Sequence, residues 1–141
     1  MGTNIMFERI NYDELNSRQQ ENFNFQKVAA RLADYGFNSI RLTDDWQGAD
    51  FIAVHIDGET FLKVQLKGRL EIHRKYQGKG IHIAFMRGED LYIYDHDDFV
   101  RYVEDSGLIG ADSRTWHQKG FRGWPSPPSW AVKHLSNGGV L

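Results

Sequence analysis

Residues 48–69, GADFIAVHIDGETFLKVQLKGR, constrain the fold more than any other stretch of this 141-residue chain. Two runs rich in apolar and β-branched residues flank Asp57-Gly58, a dipeptide that favours a tight hairpin turn. Both runs are nearly continuous in apolar character, which is typical of strands covered on both faces. The stretch therefore predicts a two-residue turn between neighbouring antiparallel strands at 50–56 and 60–67.

The register of this hairpin gathers polar residues at one end. With Asp57 and Gly58 as the whole turn, Val54 faces Phe61 and Asp50 faces Gln65, and opposed residues share a face of the sheet. Lys67, two residues after Gln65, lies on the same face. A carboxylate, an amide oxygen and an ammonium so arranged can hold a hard divalent cation beside a lysine. Hydrolysis of a phosphodiester requires such an arrangement.

The two half-motifs, Gly-Ala-Asp at 48–50 and Gln-Leu-Lys at 65–67, resemble those of the PD-(D/E)XK nuclease superfamily. Ala49 stands in place of the proline, and Gln65 in place of the usual acid, as is common in the Mrr-like restriction branch. The resemblance covers roughly residues 17–105. It implies an α/β fold of restriction-endonuclease type, with an αβββ-centred core and a mixed central sheet flanked by helices.

The resemblance also implies roles for the residues of the site. Asp50 would bind Mg²⁺ (or Mn²⁺), with the Gln65 side-chain oxygen and the Leu66 backbone carbonyl as further ligands. Lys67 would orient or activate the attacking water and stabilise the transition state. Because Gln65 replaces a carboxylate, we expect weaker metal binding, or one ion instead of two.

Many members of the superfamily also direct an acid from the first helix into the site. Counting along the predicted helix, that position falls at or next to Gln26, which is therefore the preferred site candidate. Glu21, five residues earlier, is the second candidate. Because Gln26 is not acidic, a non-cutting member of the superfamily stays open as an alternative.

Charge is unevenly distributed although the net charge is only −2. Residues 63–79 carry six cations against Glu71 alone, whereas residues 89–105 carry seven acids against Arg101 alone. A local cationic patch of this kind is typical of a surface that grips a nucleic-acid backbone. The candidate DNA-binding residues are Lys63, Arg69, Arg74, Lys75, Tyr76, Gln77 and Lys79.

The rest of the chain fits around this centre. Helical spacing predicts a helix over 18–35, capped by Ser17 with Gln20 as its capping-box partner. Further predicted strands are 39–43, 81–86 and 91–94, and a second helix over 98–105 is capped by Asp97. Residues 68–80 are predicted to form either a helix of one or two turns or a basic extended loop.

One domain is expected at this length, with residues 1–106 as the core and its N-terminal arm, and 107–141 as a tail of the same domain. The tail is rich in Gly, Pro and Trp, and Ser129 is predicted to cap a short helix over 131–135. Its aromatic and cationic residues could stack on unpaired bases, but a wrap packed over the sheet is favoured. His55 and His82 are predicted to be ordinary strand residues.

Composition narrows the functional classes. The absence of cysteine excludes disulfides and Cys-based zinc sites and fits a cytoplasmic protein, and the start lacks the features of a signal peptide. No apolar run approaches membrane-spanning length, so no membrane partner is expected. The sequence thus predicts a Mg²⁺-dependent DNA endonuclease that acts as a homodimer or a larger symmetric assembly. The alternatives are a catalytically weak or inactive nucleic-acid-binding module of the same fold, and an interaction protein whose basic loop contacts an acidic partner.

Overall fold

The computed structural model describes residues 4–109 and 114–141, so residues 1–3 of the predicted arm and 110–113 of the predicted tail lie outside it. The described residues form a mixed α/β protein, which confirms the predicted class. The helices are α1 (Ser17–Ala33), α2 (His96–Asp105), α3 (Arg114–His117) and α4 (Ser129–Leu135). The strands are β1 (Phe37–Trp46), β2 (Ala49–His55), β3 (Phe61–Leu66), β4 (Leu70–His73), β5 (Ile81–Arg87), β6 (Asp90–Asp95) and β7 (Phe121–Trp124).

Five strands form the central sheet in the order β1-β2-β3-β5-β6. Only β3 and β5 pair in parallel, and the other neighbours are antiparallel, so the sheet is mixed as expected. β1 extends well beyond the predicted 39–43, because it pairs with β2 from Phe37 to Arg41 and again at Trp46, across a bulge. The predicted hairpin register is confirmed, with Val54 opposite Phe61.

The predicted two-residue turn is wrong, because residues 56–60 connect β2 to β3. The Gly58 N–H donates to the His55 carbonyl at 3.1 Å. The Asp57 carboxylate accepts hydrogen bonds from the Thr60 hydroxyl at 2.6 Å and the Thr60 N–H at 2.7 Å. These two bonds hold the pKa of the Asp57 carboxyl well below its usual range. The longer connection is favoured because one aspartate satisfies several of its donors.

Helix α1 begins one residue before the prediction and is capped by Asn16 instead of Ser17. The Asn16 side chain accepts from the Gln19 N–H, and the Gln19 side chain accepts from the Asn16 N–H, each at 2.9 Å. The sequence contains two overlapping capping boxes, and Asn and Ser are about equally good caps, so the pattern alone did not decide between them. The helix ends at Ala33, and Gly36 follows with φ +87°.

One face of the sheet is covered by α1. Val28 and Leu32 of the helix pack with Phe51 of β2, Val64 of β3 and Ala84 of β5 in one buried cluster. Asp50 and Gln65 have the opposite parity on their strands, so they belong to the other face. α1 therefore covers the middle of one face, and its residues 17–24 reach the end of the strands where Asp50 and Gln65 lie.

Residues 68–80 are neither a crossover helix nor an extended loop. They contain β4, then a 3₁₀ helix (Arg74–Tyr76), and β4 pairs antiparallel with β7 of the tail. Leu70 and Ile72 are completely buried, at the period of two that marks a strand. The strand was missed because its partner β7 lies about fifty residues later in the chain.

The tail packs against the sheet. Trp116, Trp124, Ala131 and Leu135 join Phe99 of α2 in a second buried cluster over β5 and β6. α2 begins at His96 and is capped by Asp95, two residues before the predicted cap Asp97. α4 begins at Ser129, with Pro128 at the cap position and no side-chain cap bond. Across the described ranges, none of the helices combines the length and the apolar character needed to cross a membrane.

Candidate active site

The end of the β2–β3 pair opens into a cleft of about 590 Å³. Asp50 at the start of β2 and Gln65 and Leu66 at the end of β3 line it, together with Lys67, the residue directly after β3. The Lys67 N–H donates to the Ala84 carbonyl at 2.9 Å, so the backbone at Lys67 is still held against β5. The hairpin register thus brings the predicted carboxylate, amide and ammonium to one cleft.

A backbone hydrogen bond fixes Asp50 against the end of β3. The Asp50 Oδ2 accepts from the Leu66 N–H at 2.8 Å. The Gln65 Nε2 makes a long contact of 3.4 Å with the Leu66 carbonyl oxygen, a weak hydrogen bond at most. Asp50, Gln65 and Leu66 are all partly buried, and the cleft gives solvent access to them.

The oxygen donors at this site are those that Mg²⁺ prefers. A carboxylate, an amide oxygen and a backbone carbonyl are hard ligands, and Mg²⁺ keeps several waters beside one or two carboxylates. Within residues 4–109 and 114–141, no group of three or more His, Asp or Glu side chains is arranged to hold a metal ion. The donor set therefore fits a sparsely ligated magnesium ion and differs from a dense cage of acids.

The two helix candidates have different positions around α1. Glu21 is exposed and lines the cleft, next to Ser17, Gln20 and Asn24. Gln26 is exposed and is not among the residues that line it. Five residues turn an α-helix by about 140° beyond one full turn, so both side chains cannot face the same cleft. Position therefore favours Glu21 over Gln26 as the helix residue of the site.

Lys67 is held by a residue that the sequence did not single out. Its Nζ lies 3.2 Å from the Glu71 Oε1, and the two side chains are only 20% and 13% exposed. The Nζ also lies 5.3 Å from the ring centre of Tyr76. Burial works against the charged amine, but the hydrogen bond with Tyr76 and the Glu71 carboxylate together raise the pKa of Lys67. Lys67 is therefore a cation at neutral pH.

Glu71 is itself anchored at both of its backbone groups. The fully buried Tyr94 hydroxyl donates to the Glu71 carbonyl at 2.8 Å and accepts from the Glu71 N–H at 3.3 Å. Burial raises the pKa of Tyr94, so the hydroxyl keeps its proton. The Glu71 carboxylate also lies 3.6 Å from the Arg69 Nε. The signal for Glu71 was its position as the single acid among six cations.

The predicted DNA-binding residues do not share one environment. Tyr76 is buried, with Gly48 directly beneath its ring, so it belongs to the core and contacts Lys67. Arg74 lies over the Trp116 ring and donates to the His117 carbonyl at 3.3 Å. Arg69 lies over the Phe121 ring in addition to its contact with Glu71. Arg69 and Arg74 therefore stabilise the packing of the tail, and Tyr76 stabilises the position of Lys67.

The remaining members of the basic set are closer to solvent. Lys75 and Lys79 are exposed, and Lys63 is partly buried, with its side-chain end against Gly80. Gln77 is exposed but faces the acidic side chains of α2, including Asp97 and Glu104. The cationic surface available to a backbone is therefore smaller than the sequence predicts and is formed mainly by Lys63, Lys75 and Lys79.

The aromatic residues of the tail are packed. Trp116 and Trp124 are buried, and Arg122 lies over the Trp124 ring. The favoured interpretation of the tail, a wrap over the sheet, agrees with this packing.

No protein-family model matches the chain, and a search of curated proteins found no similar sequence. The geometry of the cleft is therefore the basis on which a function can be proposed.

Proposed function

We propose that the chain is a Mg²⁺-dependent endonuclease that hydrolyses DNA phosphodiester bonds, with a core of restriction-endonuclease type. The observation that carries the proposal is the shared cleft of Asp50, Gln65, Leu66 and Lys67. The β-strand order supports the proposed core, because the strand that leads to Lys67 pairs in parallel with the strand after the crossover. A short 3₁₀ helix and β4 would take the place of the usual crossover helix.

Asp50, Gln65 and the Leu66 carbonyl would hold the magnesium ion, with Glu21 across the cleft as a second carboxylate. A bound magnesium ion supplies Lewis-acid stabilisation of the phosphate charge and lowers the pKa of a bound water. The hydrogen bond from the Leu66 N–H would keep the Asp50 carboxylate oriented during this reaction. With Glu21 included, the site holds two negative charges, which offsets the charge lost at Gln65.

Lys67 would act as a cation and not as a general base. Because Glu71 and Tyr76 raise the pKa of Lys67, the amine keeps its proton at the pH where magnesium enzymes work. A fixed ammonium beside the phosphate stabilises the charge that develops on its oxygens. It can also orient the attacking water through a hydrogen bond. Deprotonation of that water would then fall to solvent or to a phosphate oxygen.

DNA would be held through its backbone. Lys63, Lys75 and Lys79 would contact phosphates, which contributes affinity without sequence information. One cleft can cut one strand, so a cut through both strands of a duplex would need two protomers. A symmetric homodimer is therefore part of the proposal.

A plasmid-nicking assay with and without Mg²⁺ tests the proposal. We expect the wild-type chain to nick in Mg²⁺ only, and Asp50→Ala and Lys67→Ala each to lower the rate by at least about 100-fold. Asp34→Ala and Lys133→Ala are matched controls, because both residues are exposed and lie outside the cleft. Nicking that survives in Asp50→Ala would exclude this site as the catalytic centre.

A second candidate is a nucleic-acid-binding module that does not cut. It is favoured by the ion pair that ties Lys67 to Glu71 and by the absence of a three-acid or histidine cluster in the described part of the chain. Retention of labelled DNA at low salt without nicking, in wild type and Asp50→Ala alike, would support it. No affinity for DNA at low salt would support the third function, contact with an acidic protein.

A further inference from the structure

Half of the sheet surface opposite α1 has no cover. On β1, β2 and β3 this surface presents Ile40, Ile52, Val54, Phe61 and Lys63, which we call the open face. Phe61 is 62% exposed and Ile40 is 52% exposed. On the neighbouring β5 and β6, the same surface is buried beneath the second cluster. Exposed apolar patches that continue a core in this way mark interaction sites.

The chain carries a second exposed apolar feature, the extended segment at residues 4–11, which we call the arm. Ile5, Met6, Phe7 and Ile10 are all exposed, and Phe7 is 94% exposed. The arm leads into Tyr12, which contacts Phe23 of α1 at 5.4 Å between ring centres. Four large apolar side chains within six residues cannot be explained by the packing of the arm on its own chain.

The arm does not cover the open face of its own chain, because Phe7 and Phe61 are 94% and 62% exposed. It joins α1, and α1 packs on the face that contains Phe51 and Val64. The open face is the opposite surface of the same sheet, and Tyr12, the residue after the arm, lines the cleft at the end of β2 and β3. A second copy of the chain can bury both of these exposed features at once.

The size of the open face also indicates a contribution from the arm. Three strands about 4.8 Å apart, covered over about 13 Å of their length, present roughly 190 Å². A stable interface buries about 800 Å² on each partner, so the open face provides less than half of what is needed. One phenylalanine can bury about 150–250 Å², so Phe7 and its three apolar neighbours could supply the rest.

We propose that two copies of this chain associate with two-fold symmetry by laying the arm of each protomer on the open face of its partner. The same two surfaces are used on both sides, as an isologous interface requires. The partner would end beside Gln65, about 13 Å along β3 from Phe61, and would leave the cleft open. The inference does not rest on the proposed cleavage reaction, because it follows from apolar exposure alone.

Cross-linking tests the contact directly, because the chain contains no cysteine. Phe7→Cys carrying a large tag is mixed with untagged Phe61→Cys and oxidised, and the products are separated by size under denaturing conditions. We expect a covalent heterodimer at least about tenfold above that formed with Tyr35→Cys, an exposed site outside both surfaces. A yield equal to that of Tyr35→Cys overturns the proposal, and so does a Phe7→Cys/Phe61→Cys chain that closes only within itself.

Light scattering after gel filtration provides the second readout. We expect the wild type to be a dimer at tens of micromolar, and both Phe61→Ser and deletion of residues 2–10 to weaken the dimer at least about tenfold. Tyr35→Ser should remain dimeric, and circular dichroism should show all variants folded. A wild-type monomer at every concentration, or a dimer that both changes leave intact, overturns the proposal.

Discussion

The sheet surface opposite α1 consists of two unlike halves. On β5 and β6 the apolar side chains, among them Ile83 and Phe85, are sealed beneath α2, α4 and the tail. On β1 to β3 the same alternation leaves Val54 and Phe61 exposed. The alternation of side chains along a strand shows which residues share a face of the sheet. Whether that face is buried depends on helices and strands from other parts of the chain. The cleft residues lie at the boundary between the covered and the open half, where partly buried polar side chains still contact solvent.

The largest expected effect is a difference between two phenylalanines. Phe99 of α2 is buried at the centre of the covered half, where its ring packs near Tyr94, Trp124 and Trp130. Phe99→Ala should lower the free energy of unfolding by about 3–5 kcal/mol, because it removes buried area and leaves a cavity. Urea denaturation monitored by tryptophan fluorescence measures this change.

The matched change in the open half is Phe61→Ala, measured at a protein concentration low enough to keep the chain monomeric. It should alter the free energy of unfolding by no more than about 0.5 kcal/mol, since the ring is exposed. Equal losses of unfolding free energy in Phe99→Ala and Phe61→Ala would mean that the two halves of the sheet surface are equally covered. That result would contradict the difference in burial between them.

A buried histidine connects the covered half to the segment that follows Lys67. The His96 Nε2 accepts from the His73 N–H at 2.9 Å, so the neutral ring carries its proton on Nδ1, 3.2 Å from the Asp97 Oδ1. His96→Ala should therefore cost about 1–3 kcal/mol for the backbone donor left without a partner. His96→Gln, which can replace both bonds, should cost less in the same denaturation experiment.

The same histidine makes stability depend on pH. Burial lowers the pKa of His96, and the nearby Asp97 only partly opposes this, so the unfolded state binds a proton more readily than the folded state. Stability is then fully present above the unfolded pKa of about 6.5 and is lost as pH falls through the folded value. Burial also lowers the pKa of His73 and His82, which act in the same direction.

Denaturation between pH 7.5 and 5.5 should therefore show stability falling with acidification. In His96→Gln the slope should be shallower but not zero, because His73 and His82, whose pKa values are also lowered, remain. A wild-type stability that rises on acidification over this range would contradict the assignment of a neutral buried imidazole.

The sequence predicted the strand pairing of the open half, but its prediction that β2 and β3 are covered on both faces is wrong, because Val54 and Phe61 are exposed. The register of β2 and β3 followed from local alternation, and it brought Asp50, Gln65 and Lys67 to one cleft. β4 was not predicted, because its partner β7 is distant in sequence and no local pattern reports that pairing. Glu71 was missed for the same reason, since its position against Lys67 depends on β4 and on the buried Tyr94 hydroxyl.

The N-terminal cap of α1, the helix that lines one wall of the cleft, should contribute less to the free energy of unfolding than His96. Asn16→Ala should cost about 1 kcal/mol, because the Gln19 N–H loses its side-chain acceptor. Ser17→Ala is the control, and it should change stability by less than about 0.5 kcal/mol if Asn16 is the cap. The reverse order of the two losses would restore Ser17, the cap that the sequence pattern predicted.

The smallest expected effect on stability, and the most informative for the cleft, is that of Glu71→Gln. The pair is largely shielded but not fully buried, so its loss should cost only about 0.5–1 kcal/mol. The change should nevertheless lower the pKa of Lys67, because burial then acts on the amine with only Tyr76 opposing it. Titration of the Lys67 side chain by NMR on ¹³C-labelled lysine measures this shift whether or not the protein cuts DNA.

Glu89→Gln, in an exposed turn, should leave the Lys67 titration unchanged. If Glu71→Gln also leaves it unchanged, the carboxylate is not what keeps Lys67 charged, and Tyr76 becomes the residue to test.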